Sequence, residues 1–149
     1  MKNKILVVSK MNCYLLTKEL ANNLHKDFYD LSEIIVKELG PIDEYRRLHG
    51  DIYLEKEREF LDNLVNIENQ ISFVSYDIFK HHINMEIYKD CFIIMLDFGY
   101  FIRVDNEIVR MKQSIRYQKA KSICDYIIDC RNASEKIILQ KMVRAINEK

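Results

Sequence analysis

A short polar loop near the start of the chain is the first place where the sequence could carry out chemistry. Residues 9–12 separate an apolar, β-branched run at residues 5–8 from a helical pattern that starts at about Tyr14. A strand, a loop and a helix in this order begin many nucleotide-binding α/β domains. Such loops use glycines, so that backbone amides can surround a phosphate, and a lysine that reaches its outer oxygens. This loop contains no glycine, so its composition is not that of a phosphate-binding loop.

Other residues with useful chemistry are scattered along the chain. Asp30 and Asp77 each follow a predicted strand, and His81 and His82 are adjacent. Neighbouring histidines on a helix point about 100° apart, so we expect these two to be solvated rather than to share a metal. Cys13 has no identified base partner and is expected to be inert, although the start of a helix would lower the pKa of its thiol.

Composition and charge exclude several classes of function. The 149 residues are 48% hydrophobic and 31% charged, which indicates a globular chain long enough for one domain with its own core. The net charge is zero, which argues against a nucleic-acid or membrane-surface partner. No signal peptide is visible, and no apolar run approaches the roughly 20 residues of a membrane helix. We therefore expect a cytoplasmic protein.

Strand and helix patterns alternate along the whole chain. Strands are predicted at 5–8, 27–30, 71–75, 91–96 and 126–129, and helices at about 14–24, 31–39, 41–48, 53–67, 81–88, 101–121 and 134–146. This alternation predicts an α/β fold of three αβα layers, with a five-stranded parallel sheet flanked by helices. Ligands of such sheets bind at the carboxyl ends of the strands.

Several side chains are assigned places within these elements. The charged residues of the helix at 53–67 are expected on its solvated face. Asp30 is expected to cap the helix at 31–39, and Asn132 or Ser134 to cap the last helix. The inward residues predicted for that last helix are Ile137, Ile138, Met142, Val143 and Ile146.

The order of these segments resembles the shikimate kinases, small P-loop kinases of the nucleoside-monophosphate-kinase type. The resemblance covers nearly all of the chain and is carried by ILVV, KELANNLHKDFYDLSEIIVKELG, GDIYLEKEREFLDNL, ISFVS, CFIIMLD and RYQKAKSICDYIID. It implies a single P-loop-kinase-like domain over residues 1–149, with a reduced lid at residues 99–113. An adenylate-kinase-like relative would fit the same scaffold almost as well.

Aligned with that family, the chain keeps the position of the phosphate loop but not its motif. The family lysine falls on Cys13 or Tyr14, and its metal-binding hydroxyl falls on Tyr14 or Leu15. The cofactor-binding candidates in this degenerate loop are therefore Lys10, Asn12, Cys13 and Tyr14. Without the lysine and the hydroxyl, a transferring phosphoryl group and its Mg²⁺ lose two partners.

The resemblance also assigns roles around the substrate. Asp30 matches the first acid of the family's second-strand motif, which helps to hold Mg²⁺, so it is the catalytic candidate and the metal ligand if magnesium is bound. Ser32 stands where a second acid grips substrate hydroxyls. Arg116 matches an arginine that contacts the substrate carboxylate, whereas another family arginine is replaced by Leu54 or Glu55. Ser32 and Arg116 are the substrate-binding candidates.

These departures predict a degenerate shikimate-kinase-like protein that does not bind ATP in the usual way, needs no cofactor, and binds a small anionic metabolite or a protein partner. The alternative is an active shikimate kinase, or a related small-molecule kinase, that uses ATP and Mg²⁺ with a non-standard phosphate loop. Its charge neutralisation would come from Lys10, Lys18, Asp30, Arg103, Arg110 and Arg116. A third reading is a structural subunit of another enzyme.

Overall fold

A computed structural model describes residues 2–82, 85–99 and 106–148 of the chain. Its helices and strands are, in order, β1 (Lys4–Ser9), α1 (Tyr14–Asn23), β2 (Asp27–Asp30), α2 (Leu31–Leu39), α3 (Ile42–His49), α4 (Ile52–Val65), β3 (Gln70–Ser75), a 3₁₀ helix (Tyr76–Lys80), α5 (Met85–Tyr88), β4 (Phe92–Asp97), α6 (Glu107–Ile123), β5 (Tyr126–Asp129) and α7 (Glu135–Asn147). Within these described ranges, no helix is long and apolar enough to cross a membrane.

The five strands form one sheet in the order β2-β3-β1-β4-β5, and every neighbouring pair is parallel. The strand that begins the chain lies in the middle, where Val7 is level with Phe73 of β3 and with Ile94 of β4. The predicted five-stranded parallel sheet is confirmed.

Helices cover both faces of this sheet. Side chains of a strand alternate between its two faces, so Ile5 and Val7 pack in one core with α1 and α7. Leu6 and Val8 enter a second core with α2, α4 and α6. Burial on both faces explains why the strand is a continuous apolar run, and it confirms the three αβα layers.

The segment after β3 and the start of α6 differ from the prediction because side chains there accept backbone amides and begin helical turns at residues that were not predicted. A helix was expected at 81–88, and the described helix in this range is the shorter α5 (Met85–Tyr88). The sequence did not predict the 3₁₀ helix that follows β3, where the Ser75 hydroxyl accepts the Asp77 amide at 3.4 Å. The helix expected at 101–121 falls partly outside the described residues. Its described part begins at Glu107, because the Asn106 side chain accepts the amides of Ile108 and Val109.

The last helix is capped as predicted, but the prediction that Ile137 faces inward is wrong. The Ser134 hydroxyl accepts the Ile137 amide at 3.3 Å. The Ile137 side chain is 45% exposed, whereas Ile138, Met142 and Ile146 are buried. Neighbours on a helix point about 100° apart, and Ile137 falls on the side of α7 that is turned away from the core.

Two isoleucine substitutions test the burial that this strand order produces. Ile94 of β4 is fully buried, and we expect Ile94→Ala to reduce the free energy of unfolding by about 3 kcal/mol. Ile127 of the edge strand β5 is 39% exposed, so Ile127→Ala should cost less than about 1 kcal/mol. Urea denaturation of both variants measures the difference. Equal losses would contradict the position of β5 at the edge.

Candidate functional site

The carboxyl ends of the strands meet at one edge of the sheet because all the strands are parallel. Ser9 at the end of β1 lies level with Ser75 of β3 and with Leu96 of β4. Asp30 ends β2 and Asp97 ends β4 at the same edge. The loop that follows β1 therefore emerges at the centre of the edge where α/β sheets bind their ligands.

Backbone amides in this loop are bonded to side chains of the loop itself. The buried Ser9 hydroxyl lies 3.3 Å from the Leu96 carbonyl, to which it donates, and it accepts the Met11 amide at 3.1 Å. The Asn12 side chain accepts the Tyr14 amide at 3.0 Å. Residues 9–14 contain no positive φ angle, which an amide nest around an anion needs at alternate positions.

Cys13 lies at the start of α1 and is buried. Burial raises the pKa of its thiol, and this effect outweighs a hydrogen bond with Ser9 that acts in the opposite direction. The expectation that the helix start would lower this pKa is wrong, because the thiol packs in the core beside α7 instead of facing water. A protonated, buried thiol is a poor nucleophile.

Tyr14 leans from α1 toward β2 and α2. Its ring meets Phe28 edge-on, with 5.0 Å between the ring centroids. A hydrogen bond between its hydroxyl and Glu33 raises the pKa of Tyr14. The Tyr14 side chain thus packs between α1, α2 and the sheet.

A cavity of about 120 Å³ lies beside the loop, over the ends of β1 and β4. Most of its walls are apolar or aromatic, and they include Met11, Tyr76, Met95 and Phe98. The exposed residue Lys10 also lines this cavity. Nothing in these walls resembles the ring of amide donors that surrounds a bound phosphate.

Asp30 ends β2 and caps α2, as its position in the sequence favours. Its Oδ1 accepts the Glu33 amide at 3.0 Å. Burial raises the pKa of this half-buried carboxyl, although the amide bond acts in the opposite direction. Among the described residues, no group of three acidic, histidine or cysteine side chains could hold a metal ion.

A larger pocket, of about 210 Å³, lies at the same edge between α2, α4 and the 3₁₀ helix. The buried residues Ile35, Val74 and Ile78 are among its apolar lining. Its polar lining consists of Ser32, Arg46, Tyr53, Glu57, Ser75, Asp77, Lys80 and His81. The pocket brings Ser32, a substrate-binding candidate, together with charged residues that the sequence analysis did not select.

Glu57 is the residue of this pocket that sequence reasoning missed. It was expected on a solvated helix face, but its side chain is only 17% exposed. Its Oε2 accepts the Tyr53 hydroxyl at 2.9 Å, and its Oε1 lies 2.8 Å from Nε2 of His82. The spacing of Tyr53, Glu57 and Leu61 is the signal that could have revealed it, since residues four apart share one helix face.

The histidine pair is also placed differently from the prediction. His82 is 5% exposed and bonded to Glu57, so the expectation that it is solvated is wrong. The Tyr88 hydroxyl donates to the backbone carbonyl of His82 at 2.6 Å, and this bond holds the segment against α4 and α5. His81 is exposed at the pocket rim, and its partial burial lowers its pKa, so this ring is neutral at pH 7.

No known family model matches the sequence, and no curated protein matches it significantly. Solved structures do match. Shikimate kinase from Acinetobacter baumannii in complex with shikimate is 17% identical, with a TM-score of 0.77 over 95% of this chain and 91% of that chain. Shikimate kinase from Bacteroides thetaiotaomicron is 16% identical, with a TM-score of 0.71 over 97% and 98%. Shikimate kinase from Aquifex aeolicus is 15% identical, with a TM-score of 0.72 over 95% and 94%.

This chain has the shikimate kinase fold. The resemblance seen in the sequence is confirmed at the level of the fold, and identities this low carry nothing further by themselves. Within the shikimate kinase fold, residues 100–105 of the expected lid, which include Arg103, lie outside the described residues. Arg116 belongs to α6, but its side chain is also outside the description, so its substrate-binding role stays a prediction.

Substitutions of Asp30 separate the capping role from a metal-binding role. Asparagine caps a helix as well as aspartate does, so Asp30→Asn should keep most of the stability, whereas Asp30→Ala should lose about 1 kcal/mol. A raised pKa in the folded state means that stability linked to Asp30 falls as the pH rises through that pKa. Wild type should therefore lose stability relative to Asp30→Asn between about pH 3 and pH 7.

Urea denaturation at both pH values measures these differences. If Mg²⁺ stabilises the wild type at neutral pH but leaves Asp30→Asn unaffected, Asp30 is a metal ligand, and this interpretation of the residue is wrong.

The Cys13 thiol gives a second prediction at the loop. Because burial raises its pKa and covers the sulfur, we expect iodoacetamide to modify Cys13 more slowly in the folded protein than in urea. Peptide mass spectrometry after timed quenching follows Cys13 separately from the other cysteines. Faster modification in the folded state would indicate an activated thiol and would contradict this prediction.

Proposed function

We propose that this protein is a degenerate shikimate-kinase-like protein that does not bind ATP in the usual way and instead binds a small anionic metabolite. The observation that carries the proposal is the bonding of the Met11 and Tyr14 amides to the side chains of Ser9 and Asn12. In the alignment that the resemblance implies, these amides correspond to the part of the family loop that would present donors to a phosphate.

Binding a triphosphate would require these internal bonds to be replaced. Each is worth about 1 kcal/mol net, and without glycines the backbone cannot readily turn its amides outward. The loop also has no lysine at the family position, and the loss of a positive group on a transferring phosphoryl costs several kcal/mol. The residues present therefore do not fit ATP with Mg²⁺.

The pocket beside α4 supports the binding of an anion instead. Arg46 and Lys80 supply positive charge, and the hydroxyls of Ser32 and Ser75 supply groups that can donate to or accept from a polyol or a carboxylate. The Arg46 guanidinium lies 5.1 Å from the Tyr53 ring centroid, and this contact limits its movement. Such a lining suits a small, polar metabolite with an anionic group that binds near Arg46 and Lys80.

Calorimetry and an activity assay test the proposal together. We expect no saturable binding of ATP with Mg²⁺ at millimolar concentration, and no phosphate transfer to shikimate, because the Met11 and Tyr14 amides are bonded within the loop and the family lysine is absent. The shikimate kinase from Aquifex aeolicus serves as the positive control in the same buffer. Saturable nucleotide binding together with phosphorylated shikimate would instead support an active kinase with a non-standard loop.

A further inference from the structure

The pocket beside α4 contains a partly buried acid as well as basic groups. We propose that it selects a ligand that carries both a carboxylate and a cationic amine, and that Glu57 binds the amine. This inference rests on the proposed function, since both concern the same pocket. The inference goes beyond anion binding because anion binding alone does not explain why the partly buried Glu57 carboxylate lines this pocket.

Glu57 has acceptor capacity left for a ligand. A carboxylate offers about four lone-pair positions, and the bonds from Tyr53 and His82 use one on each oxygen. A carboxylate removed from water is costly unless it is paired with positive charge or fully hydrogen-bonded. Since Glu57 also lines the pocket, an ammonium group there would gain a charge-assisted bond to an acceptor that is already held in place.

Basic groups for the ligand carboxylate come from other elements. Arg46 belongs to α3, and Lys80 ends the 3₁₀ helix. Both line the same pocket as Glu57. The lining thus has positive groups on α3 and the 3₁₀ helix, and negative groups at Glu57 on α4 and at Asp77 on the 3₁₀ helix, and this mixture complements a zwitterion. A ligand with only negative groups would be repelled by Glu57, and this repulsion supplies specificity.

The size of the pocket limits the ligand to a small molecule. Its volume is about 210 Å³, and a water molecule occupies about 30 Å³ in the liquid, so the pocket has room for roughly seven waters. A six-membered ring with two small substituents fits this space. The apolar lining by Ile35, Val74 and Ile78 is suited to the ring itself.

Three ring acids that differ in one substituent test the inference. The probes are cyclohexanecarboxylate, 4-hydroxycyclohexanecarboxylate and 4-aminocyclohexanecarboxylate, the last two as separate cis and trans isomers. Their dissociation constants are measured by NMR titration of the full-length, ¹⁵N-labelled protein. We expect one isomer of the amine to bind at least about tenfold more tightly than the unsubstituted acid, because a bond to a charged group is worth that much or more.

Variants locate the effect at Glu57. Glu57→Gln should remove the advantage of the amine and leave the other probes within about twofold of wild type. Glu59→Gln is the matched control, since it removes the same charge from an exposed position on the same helix and should keep the advantage. Tyr53→Phe should also keep the advantage of the amine, because this substitution leaves the Glu57 carboxylate in place and frees one of its lone pairs. A nuclear Overhauser effect between the Glu57 side chain and the C4 proton of the bound amine tests the contact in wild type, even if Glu57→Gln does not fold.

The outcomes separate the two proposals. Equal affinity for all probes, an advantage that survives Glu57→Gln, or a bound amine with no Overhauser contact to Glu57 would overturn the inference and leave the anion-binding function standing. If none of the ring acids binds, both the anion-binding function and the inference fail.

Discussion

The burial of strand β1 between two neighbours is the constraint on which the other features of this molecule depend. Hydrogen bonding to β3 and β4 fixes the direction and register of the strand, so the chain leaves the sheet at the centre of its carboxyl edge. Ser9 extends this constraint into the loop, since its buried hydroxyl contacts β4 and the Met11 amide. The loop is held by its own side chains and by the sheet.

The same edge provides two places of different character. Over β1 and β4, the loop and the surrounding aromatic residues line a small and mostly apolar cavity, and the loop also borders an open pocket beside α7. Beside α4, charged and hydroxyl-bearing residues surround a larger pocket that contains the bonded carboxylate of Glu57. Because different elements build the two sites, a change in the loop after β1 does not require a change in the pocket beside α4.

The sequence predicted those features that depend on neighbours along the chain. The bounds of β2, α2 and β5 agree with the prediction because apolar runs and local caps define them, and Asp30 caps α2 through an amide three residues away. Glu57 was missed because its partner His82 is 25 residues away, and a local pattern cannot show such a contact. The pKa of Cys13 was predicted in the wrong direction because its burial depends on packing against α7, which is far away in the sequence.

The central claim is that the Met11 and Tyr14 amides of the loop after β1 are bonded within the loop and are therefore not available to a phosphate. The most direct measurement is the titration of the ¹⁵N-labelled protein with pyrophosphate and Mg²⁺ while the amide signals of residues 9–14 are followed by NMR. The account predicts that the Met11 and Tyr14 signals do not move, because these amides stay bonded to Ser9 and Asn12. Saturable shifts of both signals would show that the loop opens to bind an anion, and they would contradict the account.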